Sequence, residues 1–265
     1  MAIFYKNPQV LQPEEENPYW MSFSDMMAGI LIIFILVCIF LVIKLNEATE
    51  IQYKKTNLIK YEIIKLTKSL ETLHNIVDDI QIKLERLGVK VDITNDTIII
   101  PETALSFDSN RYDINEKNIA AAKKIGQVLS ECISPFADDL ETVFIEGHTD
   151  SYPSSVIKGN WGLSAFRAIS LWEFWTKKTK TKTGLDYENE FGRSLDTMKN
   201  ASGNPLFSVS GYAETRRLQP DESTDELRRQ NRRINIRLVM KQVVTKKGLQ
   251  EIIGDNHENG EDSQH

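Results

Sequence analysis

The sequence predicts a single transmembrane helix, then a coiled-coil linker, then an α/β sandwich domain. Three observations predict it. Met26 to Ile43 is an uncharged apolar run, a heptad repeat of aliphatic residues follows, and beyond Gly88 strand-like and helix-like periodicities alternate. The expected division is a tail over 1–18, a span over 19–43, a helical linker over 44–88, a folded domain over 89–240 and an acidic tail over 241–265.

The span comes first. Its 18 uncharged positions give roughly 27 Å of helix, close to the thickness of a bilayer core. The whole run from Met21 is too long for a signal-peptide core, and no small-residue cleavage motif follows it, so it reads as a retained span. Tyr19 and Trp20 suit an interfacial aromatic belt. At the near edge stands Asp25. A carboxylate near a membrane core costs about 2.5–3.5 kcal/mol. Asp25 either marks the water-facing start of the span or carries an ion by protonating and deprotonating. Ser22, Ala28 and Gly29 share its helix face as a small-residue stripe where a partner helix can approach, which favours the second reading.

The linker comes next. Ile63, Leu70, Val77 and Leu84 occupy a positions, and Leu66, Leu73, Ile80 and Leu87 occupy d positions. Such a seam specifies a helix that pairs with another helix. A parallel homodimer is the expected use, and packing onto the chain's own domain is the alternative. Backward extension meets Thr56, Gln52 and Thr49, so the coil should loosen towards the membrane. Gly88 ends it.

In the domain, Val89–Ile100 reads as a strand ended by Pro101, and Asn118–Cys132 as a helix. Thr142–Glu146 reads as a short strand and Leu163–Trp175 as an amphipathic helix. Leu206–Tyr212 and Arg233–Met240 read as two further strands. Lys177–Asn204, rich in Lys, Thr, Gly and Asn, reads as a loop-like insertion. The net charge of −6 argues against a nucleic-acid partner. Five acidic residues and no Lys or Arg follow Lys247, in a tail expected to be disordered. Cys38 and Cys132 make no disulfide framework. No Ser-His-Asp set, metal-ligand cluster or phosphate-cradling glycine loop is evident, so an enzyme is not expected, and His148 reads as structural.

Four ordered motifs carry a resemblance. Gly147-His148-Thr149-Asp150, Asn160-x-x-Leu163-Ser164-x-x-Arg167-Ala168, Gly211-Tyr212-x-Glu214 and Asn231-Arg232-Arg233-x-x-Ile236 resemble the OmpA C-terminal-like family, over roughly Leu105 to Met240. The resemblance implies an OmpA C-terminal-like domain that binds peptidoglycan non-covalently. Asp150 and Arg167 would clamp the diaminopimelate of the stem peptide, with Thr149 and Asn160 orienting the loop or bonding the ligand. The chemistry fits, because a carboxylate holds an ammonium and a guanidinium fork holds a carboxylate. The alternative is that Asp150 and Arg167 pair with each other. Arg232 and Arg233 read as structural.

Trp20-Met21-Ser22-Phe23-Ser24-Asp25-Met26-Met27 resembles the start of the span in MotB-type stator subunits, where an aspartate carries the proton. With Tyr19 included, the wording resembles the ZorB family of Zorya anti-phage defence more closely, and the acidic N-terminal stretch departs from flagellar members. The resemblance implies a proton-driven motor, with sodium as the other ion, and no cofactor. It also implies a multi-span ZorA/MotA-like partner and indirect coupling to cytoplasmic effectors. A flagellar-type stator and a passive cell-wall tether are the alternatives. It places residues 1–18 in the cytoplasm and the domain in the periplasm. Lys44, Lys54, Lys55 and Lys60 after the span argue the opposite orientation. The domain motifs are more specific than that charge bias, so they decide the expectation.

Overall fold

Helix α1 runs without interruption over Pro18–Arg86, 69 residues. The computed structural model describes residues 18–176 and 195–241, so the expected N-terminal and acidic tails lie essentially outside the described residues. Two units divide between Lys60 and Tyr61, within α1. In the first, the apolar stretch faces outward all round, and α1 is the one described helix long and apolar enough to cross a membrane.

The second unit holds a five-stranded sheet. Its strands are β1 (Asp92–Thr94), β2 (Thr97–Pro101), β3 (Leu140–His148), β4 (Phe207–Gly211) and β5 (Arg233–Met240), in the order β1-β2-β5-β3-β4. Only β3 and β4 run parallel; the other pairs are antiparallel. The helices are α2 (Ile119–Ile133), α3 (Gly159–Thr176) and α4 (Asp225–Asn231).

The single strand expected over Val89–Ile100 is a hairpin. Asn95 adopts φ 51°, a left-handed conformation that asparagine tolerates, and the chain turns between Thr94 and Thr97. Helix α4 was not legible as a hydrophobic period because it is short and polar. Its start is nonetheless encoded: the Thr224 hydroxyl accepts the Leu227 amide at 3.3 Å, Asp225 and Glu226 fill the first turn, and Arg228 and Arg229 the last.

One sheet face makes the core. Ile98, Ile100, Val143, Ile145, Ile234, Ile236 and Leu238 are all buried there. Helix α2 contributes Ala122, Ile125, Leu129 and Ile133, the 3–4 spacing of a helix packed on one side. Trp175 of α3 is fully buried, and its indole N–H donates to the Ala122 carbonyl at 2.8 Å.

The heptad seam divides. Leu73, Val77, Ile80 and Leu84, with Ile76 beside them, are buried in the same core, whereas Ile63, Leu66 and Leu70 remain about half exposed. The distal half of the seam therefore packs on the chain's own domain. The reason is local: Gly88 turns the chain with φ 79°, and β1 and β2 follow within a few residues, returning the sheet to the helix.

The expected insertion also divides. Residues 177–194 lie outside the described residues. Leu195 and Met198 are core residues, and Asn200 organises the turn behind them. Its side chain donates to the Glu141 carbonyl at 2.9 Å and accepts the Ser202 and Asn204 amides at 3.0 Å each.

Candidate ligand cleft

Strand β3 delivers the first motif. Its last residue is His148, so Thr149 and Asp150 emerge at the strand end, where the Thr149 amide donates to the Ala213 carbonyl at 3.0 Å. The Asn160 amide group donates to the Asp150 carbonyl at 3.2 Å, which holds the loop that presents the Asp150 side chain. Thr149 lines the cleft, and its hydroxyl is buried without a hydrogen-bond partner.

Arg167 projects from α3. It is 5% exposed, donates Nε to the Arg111 carbonyl at 3.0 Å and Nη2 to the Asp108 carbonyl at 3.2 Å, and lies over the Phe107 ring. These bonds hold one edge of the fork and leave Nη1 unassigned. Burial pushes the guanidinium down to about 10, against the raising pull of Glu102 and Asp150, so it stays charged at neutral pH. Asn110 pins the opposing loop: its side-chain oxygen accepts the Ser154 hydroxyl and the Ser155 amide, both at 2.9 Å.

Together these elements enclose a cleft of about 410 Å³, lined by Phe107, Asn110, Thr149, Asp150, Tyr152 and Arg167 among others. The structure thus brings Thr149, Asp150 and Arg167 to one cleft, with Asn160 behind it. Asp25 belongs to the other unit. There it is an exposed carboxylate on the outward surface of α1, one turn from Ala28 and Gly29.

Asp150 and Arg167 do not pair with each other. The partner of Asp150 is Arg232, whose Nη1 lies 2.6 Å from Asp150 Oδ2. Arg232 also grips Glu102 with Nε and Nη2, each at 2.8 Å, and reaches Asp225 at 3.1 Å. Burial works against the charge on Arg232, but the carboxylates outweigh it and hold its pKa above the ordinary value. Glu102 and Arg232 are therefore cleft residues that sequence reasoning missed. In the sequence Arg232 reads only as a structural residue of its motif, and Glu102 lies outside every motif, reaching the cleft because β2 ends beside the start of β5.

The remaining motif residues are scaffolding. Asn231 is fully buried; its oxygen accepts the Leu218 and Gln219 amides at 2.9 Å, and its nitrogen donates to the Gln219 carbonyl at 2.8 Å. Arg233 donates to the carbonyls of Arg216 at 2.7 Å and Asn231 at 3.1 Å, matching its structural reading. His148 is buried and stacks on Tyr212, with ring centroids 5.4 Å apart. Neither of its ring nitrogens has a hydrogen-bond partner; the Glu146 carboxylate is 3.9 Å away, too long for one.

No protein-family model matches the sequence, and no curated protein matches it. Among solved structures, the chain is similar to a MotB-like protein from Desulfovibrio vulgaris at 17% identity. That match covers 66% of this chain and 98% of that one, with a TM-score of 0.47. It is similar to the cell wall anchor of the T6SS from Pseudomonas aeruginosa at 17% identity, covering 63% and 97%, with a TM-score of 0.41. It is also similar to the periplasmic domain of Helicobacter pylori MotB at 19% identity, covering 64% and 91%, with a TM-score of 0.41. The chain itself is a long apolar helix followed by a mixed α/β sheet domain, with a cleft of opposed charges at the end of β3.

Proposed function

We propose that this chain is a wall-anchored, single-span subunit of an ion-driven inner-membrane motor. In this reading it is MotB-like, and it acts in anti-phage defence of the Zorya type. The observation that carries the reading is the cleft: a carboxylate, Asp150, and a buried guanidinium with a free edge, Arg167, line one cavity. A ligand that carries an ammonium and a carboxylate on one centre complements that pair, as the diaminopimelate of a peptidoglycan stem does.

The helix supports the rest. Two copies would align their spans inside a ring of a multi-span ZorA/MotA-like partner, with the N-terminus cytoplasmic and the domain periplasmic. Asp25 would take up and release a proton, or bind sodium. Neutralising and recharging it would change its attraction to the partner helices, turning ion flow into rotation of the ring around a dimer that peptidoglycan holds still. Phage damage to the envelope would reach the partner, and through it cytoplasmic effectors.

Two measurements test this. The full chain should co-sediment with purified peptidoglycan sacculi, and Asp150→Ala or Arg167→Ala should lower the bound fraction about tenfold or more. In cells carrying the chain with its neighbouring genes, Asp25→Asn should abolish protection in a phage-plating assay without lowering expression or wall binding. Protection retained by Asp25→Asn would make the chain a passive tether. Rescue of swimming in a motility mutant would make it a flagellar-type stator.

A further inference from the structure

The ligand cleft already contains a cation where the ligand's ammonium would sit. We infer that Arg232 is a specificity-determining gate, the cation that an incoming ammonium must displace from Asp150. The inference rests on the function proposed above.

The geometry makes displacement feasible. Arg232 has two binding edges. One is taken by Glu102 through paired 2.8 Å bonds, and the other divides between Asp150 at 2.6 Å and Asp225 at 3.1 Å. When an ammonium takes Asp150, Arg232 keeps Glu102 and Asp225. No buried charge is left alone, so exchange avoids the penalty of breaking an isolated buried pair. The Asp150 carboxylate does not depend on Arg232 for its position, because its other oxygen accepts the Tyr152 amide at 3.2 Å. Side-chain exposures of 17% for Arg232 and 10% for Asp150 leave the pair reachable from the cleft. A ligand without an ammonium cannot replace the contact that Arg232 supplies to Asp150, so the gate excludes ligands that lack a free amine.

The test uses the full chain in detergent and a fluorescent muropeptide bearing free diaminopimelate, beside the same muropeptide with that side-chain amine acetylated. Arg232→Gln frees Asp150, and the free-amine muropeptide should bind about five- to tenfold more tightly. Glu102→Gln leaves Arg232 leaning on Asp150. It should weaken the free-amine muropeptide several-fold and leave the acetylated one unchanged. Circular dichroism establishes that each variant folds. If wild type binds and folded Arg232→Gln binds equally or more weakly, Arg232 is a scaffold or a ligand contact, and the gate is overturned while the cleft stands. If Arg232→Gln does not fold, Glu102→Gln decides alone, equal or tighter binding overturning the gate. If neither wild type nor any variant binds either muropeptide, the cleft's proposed ligand falls and the gate with it.

Discussion

Gly147 and Gly211 lie opposite each other in the register of the parallel strands β3 and β4, and one turn of α3 rests on both. A Cβ on Gly147 would come within 1.9 Å of the Ser164 carbonyl oxygen, and one on Gly211 within 2.5 Å of the Ala165 nitrogen. This close seat sets the height of α3 over the sheet, and with it the reach of Arg167 into the cleft.

Gly147→Ala should therefore cost at least about 2–3 kcal/mol in denaturant unfolding, because the obstructing atoms are backbone and cannot rotate away. Gly29→Ala, whose Cβ would meet nothing within 4 Å, should leave domain unfolding unchanged.

Arg167→Lys keeps the positive charge but cannot span the Asp108 and Arg111 carbonyls together. A loss of about 1–3 kcal/mol is expected in denaturant unfolding, along with reduced co-sedimentation with sacculi. Wild-type binding by this variant would show that charge alone suffices at this position.

The two halves of the heptad seam should respond differently. Leu84→Asp puts a charge into the core and should unfold the domain, at about 3 kcal/mol or more. Ile63→Asp with Leu70→Asp should leave domain unfolding within about 0.5 kcal/mol per site and weaken self-association in analytical ultracentrifugation. An unchanged mass distribution would remove this stretch as a dimer seam.

Burial pushes the His148 imidazole below its ordinary value of 6.5, against the raising pull of Glu146. A depressed folded value means that the unfolded chain binds the proton first. His148 therefore contributes stability above about pH 6.5 that is lost as pH falls through that value towards the folded one. Melting temperature should drop between about pH 7 and pH 5.5, and His148→Gln should flatten that segment of the profile.

Much of the site was legible in the chain. The motifs located Thr149, Asp150, Asn160 and Arg167, and the strand over Arg233–Met240 needed no revision, because its alternation puts Ile234, Ile236 and Leu238 together on the core face. Glu102 was illegible for a plain reason: it reaches Arg232 across 130 positions, and no local pattern records a partner that distant. Helix α4, too short for a hydrophobic period, supplies Asp225 to the same cluster.

The sequence by itself determined the order of parts: an apolar helix edged by Asp25, an aliphatic heptad seam, and an alternating α/β domain with an acid and a base in its motifs. These are periodicities and chemical identities, which short stretches of chain encode. Only the tertiary structure decided what each group faces. It gave half of the seam to the chain's own core and set Arg232, not Arg167, against Asp150. Both outcomes depend on which surfaces meet when the sheet closes with β5 between β2 and β3, and burial and charge pairing are properties of that meeting.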